Sequence, residues 1–273
     1  MKELYRLIAA DIDDTLLDPA GRLTPRTEAA FRRAIAAGVY VVLASGRMYE
    51  STRPYAEKLG VNAPVVSYNG GMVYDMNKDT ALATASIPLK TALAIVKMAE
   101  DDGIYVQMYT DKGFYTKEHT KYTAMYEASV GVKCNITGRR LSEFMDSAPI
   151  KLLFIGESKD SPAVIEKFSR VFPDVTFMMS KPHYVEVVAK NVDKSYAVGQ
   201  VLKMLNVEPA EMIAFGDGQN DLSMLNMAGR GYCMLSAASA VREKCRYFAP
   251  SNAEDGCAQI IESLLDSGEL GGA

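Results

Sequence analysis

The chain has 273 residues, of which 48% are hydrophobic and 23% are charged. This composition is typical of a globular protein with one large or two ordinary domains. The formal net charge of −4 and the lack of any basic run argue against a nucleic-acid-binding surface. No stretch of about 18 apolar residues predicts a membrane span.

The cysteines give no sign of a metal site or of a disulfide framework. None of them has CxxC spacing, so we expect reduced thiols and no zinc at positions Cys134, Cys233, Cys245 and Cys257. Charged residues precede the first apolar run, which is not typical of a signal peptide. We therefore expect a cytoplasmic protein. The sequence does not indicate an oligomeric state.

The first apolar run, from Leu7, ends in a cluster of carboxylates at Asp11, Asp13 and Asp14. Such a run is typical of a buried parallel strand, and α/β proteins place their chemistry just beyond the carboxyl ends of these strands. Two carboxylates there would repel each other, so the cluster favours a hard cation such as Mg²⁺. A solvated turn or a helix cap is the alternative interpretation.

An EF-hand is excluded for the same stretch. Counted from Asp11, its loop requires glycine at the sixth position and glutamate at the twelfth. Those positions hold Leu16 and Arg22.

The next elements predict a parallel sheet flanked by helices. A helix is expected over residues 25–37, a strand over 40–44, a helix over 48–59 and a strand over 64–68. This βαβαβ order is typical of α/β proteins. The strand over 40–44 ends in Ser45-Gly46-Arg47, where a hydroxyl group and a glycine let backbone N–H groups approach an anion. The strand over 64–68 ends in the turn signal Asn69-Gly70-Gly71, followed by a predicted hairpin over 72–87.

From about residue 88 to residue 183 the pattern changes to that of a separate α+β module. Helices are predicted over 89–102, 119–129 and 162–172, between short strand-like runs. A Tyr-rich stripe could line a pocket, although aromatic side chains are more often part of a core. Its members are Tyr115, Tyr122 and Tyr126.

The parallel pattern resumes after Val188. Lys194 begins an amphipathic helix, where a positive charge is unfavourable because of the helix dipole. A second apolar strand over 212–215 then ends in Gly216-Asp217-Gly218-Gln219-Asn220-Asp221. A last helix is predicted over 257–265, and we expect residues 267–273 to form a frayed tail.

Four of these segments, taken in order, resemble the four motifs of the haloacid-dehalogenase-like (HAD) phosphohydrolases. They are the Asp11–Thr15 stretch, Ser45-Gly46-Arg47, Lys194 and the Gly216–Asp221 stretch. The insertion resembles the α/β cap of the Cof-type sugar-phosphate phosphatases. The resemblance implies an α/β fold with a Rossmann-like parallel-sheet core, residues 1–86 and 184–273, and an inserted α+β cap, residues 87–183.

The resemblance also implies a reaction, the hydrolysis of a small phosphorylated metabolite through an aspartyl-phosphate. Asp11 would be the nucleophile and Asp13 the general acid and base. Mg²⁺ would be bound by Asp11, the backbone carbonyl of Asp13, Asp217 and Asp221. The phosphoryl oxygens would be held by Ser45, the Gly46 amide, Lys194 and Asn220, with Arg47 and Asn69 as substrate contacts. Asp14 stands where many family members have glycine, a change that a turn tolerates.

Two other functional classes are compatible with these residues. A phosphotransferase or phosphomutase could use the same core chemistry, but the related families usually carry a small helical cap. A non-catalytic phosphate-binding module would be expected to lack Asp11 or Asp13, and both are present. Because all four motifs lie outside the insertion, we expect the cap to choose the leaving group, through residues such as Tyr115, Tyr122 and Tyr126.

Overall fold

The computed structural model describes residues 4–271 of the chain. The helices of this part are, in chain order, α1 (Pro25–Ala36), α2 (Tyr49–Leu59), α3 (Leu89–Asp101), α4 (Lys121–Val130), α5 (Leu141–Phe144), α6 (Ser161–Val171), α7 (Lys194–Leu205), α8 (Leu222–Met227), α9 (Ser239–Arg242) and α10 (Gly256–Asp266). Short 3₁₀ turns cover Tyr68–Gly70, Pro209–Glu211, Gln219–Asp221 and Asn252–Glu254.

The strands belong to three separate sheets. In chain order they are β1 (Leu7–Ala10), β2 (Tyr40–Leu43), β3 (Val65–Ser67), β4 (Met72–Asp75), β5 (Thr80–Thr84), β6 (Tyr105–Thr110), β7 (Gly113–Thr116), β8 (Asn135–Ile136), β9 (Lys151–Ile155), β10 (Val175–Lys181), β11 (Tyr184–Ala189), β12 (Met212–Gly216), β13 (Arg230–Met234) and β14 (Tyr247–Ala249). No helix in the described range 4–271 is long and apolar enough to cross a membrane.

The core domain is built on a parallel five-stranded sheet in the order β14-β13-β12-β1-β2. The whole of β1 is buried, and its residue Leu7 lies between Met212 of β12 and Tyr40 of β2. Side chains on one face pack against α1 and α10, and those on the other face pack against α7 and α8. Because both faces are covered, the strands are continuous apolar runs, as the sequence predicts. The predicted α/β core is confirmed.

The third strand of the predicted parallel series belongs mainly to a different sheet. β3 touches the large sheet through one parallel bridge, between Val66 and Ala44. Its regular partner is β4, which it meets in an antiparallel sheet completed by β5. The hairpin predicted over 72–87 is confirmed by the pair β4 and β5.

The inserted cap is a six-stranded sheet in the order β10-β11-β9-β6-β7-β8. On one face, α3, α5 and α6 cover an apolar cluster that includes Ile95, Leu141 and Phe168. On the other face, Tyr109 and Tyr126 pack in an aromatic group that is continuous with the apolar core of the parallel domain. The cap therefore lies against the core domain through an aromatic surface.

Two boundaries differ from those that the sequence predicts. The predicted return to the core at residue 184 comes too early, because β11 pairs with β9 and β10 in the cap sheet. The largely apolar run over 184–188 is typical of a strand, but the sequence does not indicate which sheet this strand joins. The predicted fraying is wrong for residues 267–271, since Leu270 forms a bridge with Tyr5 and the Gly271 N–H donates to the Tyr5 carbonyl at 3.0 Å. Residues 272 and 273 lie outside the described residues.

Candidate active site

Three carboxylates meet at the carboxyl edge of the parallel sheet. Asp11 follows β1, Asp217 follows the neighbouring strand β12, and Asp221 lies in the 3₁₀ turn just beyond. One oxygen of each carboxylate lies within 4.8 Å of the others. Adjacent parallel strands end at the same edge, so two distant segments of the chain converge there.

The loop after β12 folds tightly because of a glycine. A Cβ atom at Gly216 would lie 2.5 Å from the Cβ of Asp221, which is closer than real Cβ atoms approach. The Asp221 side chain lies over this glycine. Its Oδ2 accepts hydrogen bonds from the backbone N–H groups of Asp217 at 3.0 Å and Gly218 at 2.8 Å. The glycine thus fixes where the third carboxylate points.

Lys194 is the buried counter-charge of this cluster. Its side chain has no exposed surface, and its Nζ lies 2.5 Å from Oδ1 of both Asp11 and Asp221. The helix that it begins is capped by Asp193, whose Oδ1 accepts the Tyr196 N–H at 2.8 Å. Two carboxylates offset the unfavourable position of a lysine at a helix start. These two contacts explain why a lysine stands at the unfavourable first position of this helix.

The carboxylates carry more negative charge than one lysine neutralises. Burial raises the pKa of Asp11 to about 7, even though Lys194 opposes the shift. Burial, with repulsion from Asp221 and Asp11, raises the pKa of Asp217 to about 8. Burial alone would lower the pKa of Lys194, but the two carboxylates outweigh it and raise this pKa above its usual range.

The donor set fits a hard divalent cation. Asp11, Asp217 and Asp221 each offer a carboxylate oxygen, the type of ligand that a hard cation such as Mg²⁺ prefers. The Asp217 carboxylate receives one side-chain hydrogen bond, from the Thr15 hydroxyl at 2.9 Å. A cation would relieve the repulsion that raises its pKa.

Asp13 is held by Arg47, which the sequence predicts as a substrate contact. The Arg47 Nε and Nη2 atoms donate to the two oxygens of Asp13 at 2.7 and 2.8 Å. The remaining Nη1 donates to Ser51 Oγ at 2.9 Å. Burial favours the protonated form of Asp13, but the hydrogen bonds and charge of Arg47, together with the charges of Lys181 and Lys194, outweigh burial and lower the pKa of Asp13. In this arrangement Arg47 positions Asp13 as a carboxylate. Arg47 also lines the cavity beside the site, and its role as a substrate contact stays a prediction.

The predicted phosphate-binding residues lie together beside the carboxylates. Ser45 Oγ accepts the Arg47 N–H at 3.1 Å, and Gly46 lies against the side chain of Asn69. Asn69 has a left-handed backbone (φ 55°), and its Oδ1 accepts a hydrogen bond from Asn220 Nδ2 at 3.0 Å. The Nδ2 atom of Asn69 is buried and has no hydrogen-bond partner. Asn69 therefore links the two loops that carry Gly46 and Asn220.

A cavity of about 60 Å³ lies between these loops and the cap. The cap residues that line it are Tyr126, Ser129, Val130, Ser180, Lys181, Tyr184 and Glu186. Of the predicted tyrosine stripe, Tyr126 alone belongs to this lining. Tyr115 packs against Phe144, and Tyr122 packs against Tyr105, so the stripe does not form one surface.

Some residues near the site were missed by the sequence argument. Lys181 of β10 reaches to 4.0 Å from Asp13 and 3.8 Å from Asp14. Glu186 stands in the middle of the apolar strand β11, and Lys151 begins the apolar strand β9. A single charge within an apolar strand is the signal that could have identified Glu186 and Lys151.

Asp14 has φ 57°, the left-handed conformation in which glycine is usual.

Known proteins resemble this chain over almost its whole length. The family model of haloacid dehalogenase-like hydrolases matches residues 8–261. The chain belongs to this family. A phosphatase of Bacillus subtilis, named for 5-amino-6-(5-phospho-D-ribitylamino)uracil, is 27% identical, over 95% of this chain and 97% of the relative. The pyridoxal phosphate phosphatase of Escherichia coli is 24% identical, over 95% and 98%.

A solved structure supports the same assignment. The haloacid dehalogenase-like hydrolase from Bacteroides thetaiotaomicron superposes on this hydrolase with a TM-score of 0.84 and is 26% identical, over 95% of this chain and 99% of the other. The family that the motifs of the sequence predict is confirmed, together with its combination of a parallel core and an inserted cap.

Proposed function

We propose that the protein is a Mg²⁺-dependent phosphomonoester hydrolase that acts on a sugar phosphate or a similar small phosphorylated metabolite. One observation carries the proposal: Asp11 lies among two further carboxylates and a buried lysine, beside Ser45 and Asn220, at the carboxyl edge of the sheet. A carboxylate nucleophile next to a cation site and to hydrogen-bond donors is an arrangement suited to phosphoryl transfer through a covalent aspartyl-phosphate.

In the first half-reaction, an Asp11 oxygen attacks phosphorus and the bond from phosphorus to the leaving oxygen breaks. Asp13 gives its proton to that oxygen, so an alcohol departs and an aspartyl-phosphate remains. In the second half-reaction, Asp13 removes a proton from water as the water oxygen attacks phosphorus. The bond between Asp11 and phosphorus breaks, and inorganic phosphate leaves.

The pairing of Asp13 with Arg47 bears on both steps. It favours the carboxylate, which is the form that accepts a proton from water in the second step. The first step needs the protonated form. A phosphate dianion close to Asp13 favours that form, because like charges raise the pKa of a carboxyl group.

Asp11, Asp217 and Asp221 would hold the metal ion, with the backbone carbonyl of Asp13 as a further ligand. When bound, Mg²⁺ supplies a positive charge that lets an anionic nucleophile approach a phosphate dianion. Lys194 keeps Asp11 oriented through its 2.5 Å contact. The Ser45 hydroxyl, the Gly46 N–H and the Asn220 side chain would donate to phosphoryl oxygens.

The cavity and the relatives guide the choice of substrate class. A cavity of about 60 Å³ is small beside pockets of about 300–1,000 Å³ that hold drug-sized ligands. A second cavity of about 590 Å³ shares Asp13, Arg47 and Lys181 with the first and offers room for a leaving group. The two relatives named above carry names of small phosphorylated metabolites.

Phosphate release from a panel of phosphomonoesters, with Mg²⁺ or with excess chelator, tests this function. We expect turnover of small phosphomonoesters with Mg²⁺, none with chelator, and none for Asp11→Asn. Asp13→Asn should still bind substrate and lose about 10²- to 10⁴-fold in rate. Full turnover in chelator would contradict the metal dependence, and near-normal turnover of Asp11→Asn would contradict the assignment of the nucleophile.

A further inference from the structure

A buried lysine of the cap reaches into the phosphate-binding loop of the core. Lys151, the first residue of β9, is 1% exposed. Its Nζ donates to the Gly46 carbonyl at 2.7 Å, forms an ion pair with Glu186 Oε2 at 2.8 Å, and lies 4.4 Å from the centre of the Tyr109 ring. Glu186 and Tyr109 are cap residues, whereas Gly46 belongs to the core. The ammonium group thus joins the two domains at the loop that would bind phosphate.

The carbonyl that Lys151 contacts is half of a peptide group fixed at both ends. The other half is the Arg47 N–H, which donates to Ser45 Oγ at 3.1 Å. Because Ser45 Oγ accepts this bond, its own hydroxyl proton remains available for a phosphoryl oxygen. The same peptide precedes the Arg47 side chain, which holds both oxygens of Asp13. The orientation of this one peptide therefore affects a phosphate donor and the acid–base group.

We propose that Lys151 and Glu186 are a positioning pair that orients the Gly46–Arg47 peptide when the cap closes; this inference rests on the proposed phosphatase function. Lys151 and Glu186 lie on β9 and β11, which are neighbours in the cap sheet, so they move together with the cap. Glu186 holds the ammonium group extended, and Ser180 Oγ in turn donates to Glu186 Oε1 at 2.8 Å. Cap closure completes the geometry of Ser45 and Asp13 through this contact.

The expected signature is a loss of rate without a loss of binding. Within residues 4–271, the hydrogen bond and the ion pair of Lys151 go to Gly46 and Glu186, not to Lys194 or the carboxylate cluster. Substrate and metal therefore retain most of their contacts in a Lys151→Met variant. Misplacing a reacting or assisting group by about 1 Å can cost about 10²-fold in rate. We expect kcat to fall about 10- to 100-fold for every substrate, with the ranking of substrates and KM little changed.

The experiment compares Lys151→Met, Glu186→Gln and Lys151→Arg with the wild-type protein, using p-nitrophenyl phosphate and a sugar phosphate as substrates. Arginine keeps a donor for the Gly46 carbonyl, so Lys151→Arg should recover part of the rate. Tyr68→Phe is the matched control, because it removes another hydrogen bond between core and cap, from the Tyr68 hydroxyl to the Thr110 carbonyl. We expect this control to keep its kcat.

Several results would overturn the proposal. A folded Lys151→Met variant with an unchanged kcat would show that the lysine serves stability only. A Tyr68→Phe variant as slow as Lys151→Met would show that any loss of cap contact has the same effect. Glu186 also lines the cavity, so a Glu186→Gln variant that alters KM or the ranking of substrates, with kcat intact, would make it a leaving-group contact instead.

Folding and function are kept apart in this test. If Lys151→Met does not fold, the double variant Lys151→Met/Glu186→Gln replaces it, since that protein buries no unpaired charge, and the same loss of kcat is expected. Thermal unfolding checks that each variant is folded. Failure of the wild-type protein to hydrolyse any phosphomonoester would refute the proposed function itself, a result distinct from an active wild type with unaffected variants.

Discussion

Replacing Lys194 by methionine tests whether this lysine is the counter-charge of the buried carboxylates. The Nζ of Lys194 lies 2.5 Å from Oδ1 of both Asp11 and Asp221. Methionine has a similar length and no charge, so the variant keeps most of the volume of the side chain and removes both ion pairs. The carboxylates are then buried without a cation.

The size of the effect follows from this burial. Removing one partner of a buried ion pair costs about 3–5 kcal/mol of the free energy of unfolding. Asp11 can avoid part of the cost by binding a proton, because burial already raises its pKa to about 7 and Lys194 is the largest opposing influence. We therefore expect a loss near the lower end, about 3 kcal/mol, from a total stability of about 5–15 kcal/mol.

Urea unfolding at pH 7 without added metal measures this loss. Lys203→Met is the matched control, because Lys203 is an exposed residue of the same helix, and it should change stability by no more than about 0.5 kcal/mol. Excess Mg²⁺ should stabilise Lys194→Met more than the wild type, since it supplies the missing positive charge. A Lys194→Met protein as stable as the control would refute this account of the cluster.

Further predictions concern other charges and one glycine. In the folded protein the pKa of Asp11 is about 7 and that of Asp217 about 8, both above the ordinary 3.8. Without metal, the free energy of unfolding should therefore fall as the pH rises from about 4 to 8. Urea titrations measure this fall, and Mg²⁺ should flatten it. Hydrogen bonds from the Cys134 N–H and, to a smaller extent, from Lys133 lower the pKa of Glu127 from 4.5 to about 2. Ionised Glu127 therefore stabilises the folded protein above pH 4.5, and this contribution is lost as the pH falls towards 2. Glu127→Gln should remove that pH dependence. Gly216→Ala should displace the loop after β12 and weaken Mg²⁺ binding, measured calorimetrically, by about tenfold or more.

Each of these expectations has a result that contradicts it. A stability that is flat with pH in metal-free buffer would mean that the two carboxyl groups are not protonated on folding. A Glu127→Gln protein that keeps the wild-type acid limb would assign that limb to other carboxylates. Gly199→Ala is the control for the glycine, since a Cβ there meets only Met227 Sδ, at 4.0 Å; equal Mg²⁺ affinity in both variants would show that the loop tolerates a side chain.

The core of the site could be predicted because it depends on strand ends. Asp11 and Asp217 each follow an apolar run, and parallel strands bring such ends to one edge regardless of their distance in the chain. Lys194 stood out because a lysine at a helix start is electrostatically unfavourable there. These signals are local, so one sequence is sufficient to read them.

The role of Arg47 could not be predicted in the same way. Its position after a strand places its backbone at the site edge, but a long side chain has several directions open to it. The structure directs the guanidinium to Asp13 and Ser51. Which partner it meets depends on the packing of α2 and of the loop after β1, two elements separated in the chain, and no local pattern encodes that choice.

The contacts of the cap with the core depend on how two folded units dock. The role of Lys151 could therefore not be predicted from the sequence. Its strand can be predicted from its apolar residues, and a charge at its first position is compatible with an exposed strand end. Only the docked arrangement shows that the ammonium group has no exposed end and meets a carboxylate, a ring and a carbonyl. A buried lysine without partners would be costly. Glu186 and Tyr109 belong to the cap itself, and docking adds the Gly46 carbonyl as the partner that the core supplies. The charge that the sequence leaves unexplained in β9 is therefore a sign of an interface, and Glu186 in the neighbouring strand is its complement.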